Sequence, residues 1–210
     1  MKKEFLVLLM APLAFASCEK DADTDKLDNK FVVYTNYDKN ANFASFNTYY
    51  LPDSILIIGD KKEAEYWNDE NAQKVISTYA ANMNSRGYTR IDNREEADLG
   101  LQVSYVKSTY FVTNYGQPEW WWGYPGYWDV PYWGNWGDWY YPYAVTYSYS
   151  TGSFVTELLN LDAPQGQTAQ LPILWTAYMS GLLSGSTSVN VDLSIQAVDQ
   201  AFTQSAYLKK

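Results

Sequence analysis

The sequence predicts an α+β domain in which two helices cover one face of a largely antiparallel sheet. Apolar residues recur at helical spacing in two stretches, 69–86 and 191–207. The segments before and between them are β-branched, aromatic and apolar in short runs, the pattern of strands. The order strand, strand, helix, three strands, helix is that of helices packed on a sheet, each element hiding its apolar side against the other layer.

FVVYTNYD, from Phe31, mixes β-branched and aromatic residues and is predicted as the first strand. A turn through Lys39 to Asn42 leads to a second strand at Thr48 to Leu51, with Asp38 bonding its own turn backbone. Phe43, Phe46 and Tyr49 are predicted as core aromatics beneath this first hairpin. From Asp69 to Arg86, Ala72, Val75, Ile76, Tyr79, Ala80 and Met83 share one helical face. Asn68 or Asp69 caps the start, and Gly87 supplies the left-handed residue that ends the helix. ADLGLQVSYV from Ala97, SFVTELLNL from Ser153 and LPILWTAYMS from Leu171 are predicted strands. Pro172 falls near the start of its strand, where a missing amide is tolerated, and Trp175 packs under a helix. The last helix, about 191–207, buries Val191, Ile195, Val198, Phe202 and Ala206.

Between the third and fourth strands lies an insert, about 113–145, holding most of the nine tryptophans: Trp120, Trp121, Trp122, Trp128, Trp133, Trp136 and Trp139. Gly123, Gly126, Gly134 and Gly137, with Pro118, Pro125, Pro131 and Pro142, forbid a long helix or uninterrupted strand. Connections this long are usually functional or disordered. Three readings stay open. The aromatics fold back over the sheet or stack on one another. Exposed indoles form a platform for sugar rings, with Asp129, Asn135 and Asp138 bonding hydroxyls. Or the insert meets a lipid interface or a protein partner, where amphipathic rings are favoured.

The N-terminus carries Lys2 and Lys3, an apolar run from Phe5 to Leu13, and small residues before Cys18. It reads as a secretory signal, 1–17, because the run is too short for a membrane-spanning helix of about 20 residues. FASC resembles the lipobox of bacterial lipoproteins, of a looseness common in the Bacteroidetes, although Phe15 stands where Leu is usual. The resemblance implies acylation of Cys18, palmitate-type chains included, and an outer-membrane location with the lipid as anchor. Residues 18–30 then form a polar tether. Its Glu19, Lys20, Asp21 and Asp23 resemble the signal that exports some Bacteroidetes lipoproteins to the cell surface, or serve only as a flexible acidic linker. Asp21, Asp23 and Asp25 imitate a calcium loop, but Lys26 and Val32 occupy its turn and bidentate positions. Residues 31–208 make one domain.

NYDKNANFASFNTYYLPD, a helix ending in RGY, ADLGLQVSY, the Trp-rich insert, TGSFVTELLNL, ILWTAYMSGLL and a final helix resemble, in that order, the bacterial lipoproteins grouped as domain of unknown function 4136. The matching positions are Tyr37, Asp38, Phe43, Phe46, Thr48, Tyr49, Gly87, Tyr88, Ala97, Asp98 and Trp175, across about 31–207. The resemblance implies an envelope lipoprotein of Bacteroidetes type and no particular activity.

Composition narrows the chemistry. The chain has no histidine and one cysteine, the acylated one, which removes the usual general base, thiol nucleophile and zinc ligands. No phosphate-cradling Gly-rich loop appears, and no cofactor is expected. A net charge of −9 without a basic cluster argues against nucleic acid. The remaining enzymatic option is a carboxylate pair of glycosidase type among Glu119, Asp129 and Asp138, but acids in a Trp/Gly loop more commonly solubilise or turn the chain. The expectation is a non-enzyme with an envelope binding or assembly role, and polysaccharide or an envelope protein as partner. Asp53, Ser54 and Ile55 also resemble a Bacteroidetes O-glycosylation signal, with Ser54 the acceptor.

Overall fold

The structure is a computed structural model and describes residues 31–59, 65–107, 138–143, 150–163, 170–184 and 188–210. The elements are β1 (Val32–Tyr37), β2 (Thr48–Tyr50), β3 (Ile55–Ile58), β4 (Glu65–Trp67), α1 (Glu70–Ser85), β5 (Thr89–Arg90), β6 (Leu99–Val106), β7 (Asp138–Tyr140), β8 (Ser153–Asn160), β9 (Gln170–Ser180), β10 (Leu183–Ser184), β11 (Ser188–Val189) and α2 (Val191–Gln204). The fold is α+β, with a nine-stranded mixed sheet.

The sheet is antiparallel at its centre, through β1, β9, β8 and β6. The sheet is mostly antiparallel, as expected, and its parallel pairs gather beside β6 and at the start of β9. β2 and β3 lie one after the other along the outer edge of β6, both parallel to it, and β5 pairs parallel to β2. The cause is topological: α1 carries the chain from one sheet edge back to the same end, as parallel neighbours require. The Ile55–Ile58 run that forms β3 is a four-residue apolar stretch without alternation, which periodicity alone does not identify as a strand.

Both helices pack on one face of this sheet. From α1, Ala72, Val75, Ile76, Tyr79 and Met83 join Leu99, Leu101, Val103, Phe154, Leu158 and Trp175 in one core. Asp69 starts α1, its carboxylate accepting from the amides of Asn71 and Ala72 at 2.9 and 3.0 Å, a cap that stabilises the helix by about 1 kcal/mol. Gly87 follows the helix at φ 94°, as its position implied. Helix α2 contributes Ser194, Ala197, Val198, Ala201 and Phe202, a stripe rotated from the predicted one: Ile195 is half-buried and Ala206 exposed. The helix ends at Gln204, earlier than predicted, because Ser205 turns out of it. The tail then folds inward. Leu208 is fully buried, and Tyr207 stacks on Tyr37 at 3.7 Å between ring centroids.

Phe43, Phe46, Tyr49 and Trp175 are core residues, as expected. The Trp175 ring lies 5.3 Å from Phe202, and its Nε1 donates to Ser205 Oγ at 2.8 Å. Asp38 Oδ1 accepts from the Asn40 amide at 2.9 Å, the predicted turn bond. Among the described residues, no helix is long and apolar enough to cross a membrane.

Candidate functional site

The opposite face of the sheet is also buried, which amphipathic strands covered on one side alone do not require. Leu56, Ile58, Val106, Val155, Leu159, Leu171, Ile173 and Tyr178 form a second apolar cluster there. Strand alternation sends 154, 156 and 158 of β8 toward the helices and 155, 157 and 159 to this second face. Glu157 therefore stands between Val155 and Leu159 in an apolar field, with no exposed surface.

The registers extend Glu157 into a row. Gln102 of β6 lies opposite it on one side and Thr176 of β9 on the other, exposed by 4% and 1%. A carboxylate buried this way is costly unless donors hold it. One donor is the hydroxyl of Tyr141, which bonds Glu157 Oε1. The Tyr143 hydroxyl reaches Thr176 Oγ1 at 3.5 Å, and the two tyrosine rings meet edge to face, 6.0 Å apart. Both rings pack on the second cluster.

These tyrosines belong to the returning leg of the aromatic insert. β7 first pairs parallel with the start of β9, Asp138 opposite Gln170 and Tyr140 opposite Pro172. Tyr141 and Tyr143 then cross toward the row. Beyond them, Ser150 Oγ bonds Ser153 Oγ and Tyr178 OH at 2.9 and 3.1 Å, and Gly152 turns the chain into β8 at φ 81°. The leg is thus tied to one sheet face at successive points.

The predicted candidates fall in three groups. Cys18, Glu19, Lys20, Asp21, Asp23, Trp120, Trp121, Trp122, Trp128, Asp129, Trp133 and Trp136 lie outside the described residues, as does Glu119. Asp138 and Trp139 are placed in β7 by their backbone pairing. Ser54 sits, half-buried, where the edge strand breaks between β2 and β3. That break is well tied: Arg90 bridges the Leu51 carbonyl and the Asp53 carboxylate, both at 2.7 Å, Gln73 Nε2 donates to the Asp53 carbonyl, and Ile55 is fully buried. Sequence reasoning missed Gln102, Tyr141, Tyr143, Glu157 and Thr176. The available signal was a polar residue at a core register in each of three consecutive apolar strands.

Asp98, one of the positions that carry the family resemblance, has a structural role. Its Oδ2 accepts from the amides of Asn47 and Thr48 at 2.6 and 3.0 Å, while its own amide donates to Thr48 Oγ1 at 3.0 Å. This reciprocal clamp sets the start of β2 beside the start of β6. Tyr49 and Tyr88 bond protein acceptors from within the core: Tyr49 donates to Asn84 Oδ1 at 3.0 Å and Tyr88 to the Phe43 carbonyl at 3.0 Å. Burial pushes each hydroxyl up to about 12, against smaller opposing effects of Arg90 and Arg86. Tyr79, wholly buried against Thr156 Oγ1 at 2.5 Å, is raised further still by the same desolvation. Among the described residues, no group of three or more acidic or cysteine side chains is arranged to hold a metal ion.

A family model described as Domain of unknown function (DUF4136) matches residues 33–205. No curated protein matches the chain. The chain is similar to a DUF4136 family protein from Bacteroides thetaiotaomicron with a crystal structure at 1.60 Å resolution. The identity is 57% and the TM-score 0.77, with 87% of this chain and 99% of that one covered. Identity at this level supports an origin in the Bacteroidetes, and with the family match extending from β1 into the residues after α2, the chain belongs to the DUF4136 family.

Proposed function

We propose that this protein is a lipoprotein of the outer membrane, acylated at Cys18, which catalyses no reaction and acts by binding or assembly in the cell envelope through its aromatic insert. The observation that supports this reading is the fastening of the insert's returning leg: β7 on β9, Tyr141 on Glu157 and Tyr143 on Thr176 tie it to a sheet buried on both faces. A scaffold with two cores holds residues 138–143 in a fixed place, and such preorganisation reduces the ordering cost of binding. The anchor is tested by metabolic labelling with a palmitate analogue in a Gram-negative host. Label should enter the full chain and be lost in Cys18→Ser, with the variant leaving the membrane fraction.

A second reading, a surface lipoprotein that binds glycan, is favoured by the composition of the insert. Trp128, Trp133 and Trp136 alternate with Asp129, Asn135 and Asp138, giving flat rings beside hydroxyl-bonding groups. It requires tryptophan fluorescence to respond to a polysaccharide, and that response to vanish when Trp128, Trp133 and Trp136 become Ala.

A further inference from the structure

The second face of the sheet contains one feature that neither packing nor the family match accounts for. Glu157 is fully buried at the middle of the central strand, where Val155 and Leu159 on the same face show that an aliphatic side chain fits the register. A buried acid is a poor means of stabilising a core, since replacing such groups with apolar residues is often neutral or favourable. Its use here lies in its geometry: the carboxylate meets the hydroxyl of Tyr141, a residue more than a dozen positions away on the insert's returning leg.

We infer that Tyr141 and Glu157 form a latch, a buried hydrogen bond that holds residues 138–143 on the sheet as a separable strap. Three arrangements carry this. Among the described residues the strap's backbone pairing is the three-residue β7 on the first residues of β9, and the Tyr141 and Tyr143 side chains add to its hold. The receiving row, Gln102, Glu157 and Thr176, lies across three adjacent strands whose backbones are fixed by their own ladders, so the acceptor is rigid. The second tyrosine, Tyr143, reaches Thr176 in the same row at 3.5 Å, near the limit of a hydrogen bond, and so adds little to the hold of Tyr141. The latch does not depend on what the insert binds and holds equally for a protein or a polysaccharide partner.

Hydrogen exchange read by mass spectrometry on the folded soluble domain tests it. In Tyr141→Phe, which removes one oxygen and keeps the ring, the amides of 138–141 and 143 should exchange roughly two- to tenfold faster, the worth of a buried hydrogen bond. Amides of β6 and β8 should keep their protection. Glu157→Leu should free the strap to a similar degree, and the double variant should go no further than either single one, because both changes remove the same bond. Unchanged exchange in 138–143 would overturn the inference. So would equal acceleration of strap and β8, which would make the bond part of global stability, or additive effects in the double variant.

Discussion

Raising the pH should unfold this domain through its buried tyrosines. Tyr49 and Tyr88, exposed by 0% and 2%, have hydroxyls raised by burial to about 12 from an ordinary value near 10. A group whose folded value lies above its unfolded one contributes stability that is complete below about pH 10 and is lost as the pH climbs toward 12, since the unfolded chain releases the proton first. At pH 11 the loss is on the order of 1 kcal/mol for each residue, and about twice that for the pair. Tyr79, raised in the same direction, adds a similar amount. Urea unfolding at pH 8, 10 and 11, followed by tryptophan fluorescence, reads this directly. The unfolding free energy should be level to about pH 10 and then fall by several kcal/mol, a large part of the usual stability of a domain. Tyr88→Phe, less stable at pH 8 for want of its bond to Phe43, should lose on the order of 1 kcal/mol less between pH 8 and 11 than the parent. An urea midpoint unchanged from pH 8 to 11, or a Tyr88→Phe curve parallel to the parent's, would refute the assignment of these hydroxyls to a desolvated core.

Other substitutions probe the joints of the fold. Asp98→Ala leaves the Asn47 and Thr48 amides without their acceptor and should cost about 2 to 3 kcal/mol in urea unfolding, as expected for bonds to a charged group. Gly152→Ala forces a side chain into a left-handed conformation, with its Cβ 2.3 Å from Leu183 Cγ, and should destabilise by about 2 kcal/mol or more unless Leu183 moves aside. Trp175→Phe removes the bond to Ser205 and part of a fully buried ring; a loss of about 2 to 4 kcal/mol by thermal or urea unfolding is expected. Intact mass of protein from a Bacteroidetes host, with and without Ser54→Ala, decides whether Ser54 carries a glycan: a sugar-sized addition should disappear in the variant.

How much of this was legible in the sequence differs by element. Helix α1 was readable because its buried residues, its Asp69 cap and its Gly87 terminator all agree, and such agreement among local signals marks a well-specified element. The start of α2 was equally plain, whereas its end was not. Ser205 leaves the helix to accept from Trp175 Nε1, a long-range bond that no local pattern announces. The short margins, β3, β4 and β5, escaped for a related reason: two to four residues form strands there only because β6, β3 and β2 offer them an edge. The polar row failed in the opposite way. Gln102, Glu157 and Thr176 are visible as interruptions of apolar strands, but only the register shows that they lie side by side. Tyr141 and Tyr143 sit in a run of aromatics with no local signal that sets them apart; only the fold carries them over the polar row.

The proposal that the insert works by binding rests on its indoles meeting water, and acrylamide quenching of tryptophan fluorescence tests this most directly. The sample is the folded, monomeric chain lacking residues 1–18. Trp175 is fully buried and sets a shielded baseline, while half-buried Trp67 contributes a partly accessible one. Strong quenching is expected, reduced in part when Trp128, Trp133 and Trp136 become Ala and further when Trp120, Trp121 and Trp122 are also replaced. Weak quenching in the monomer, unaltered by those substitutions, would mean that the insert packs onto its own domain and would contradict a binding role for it.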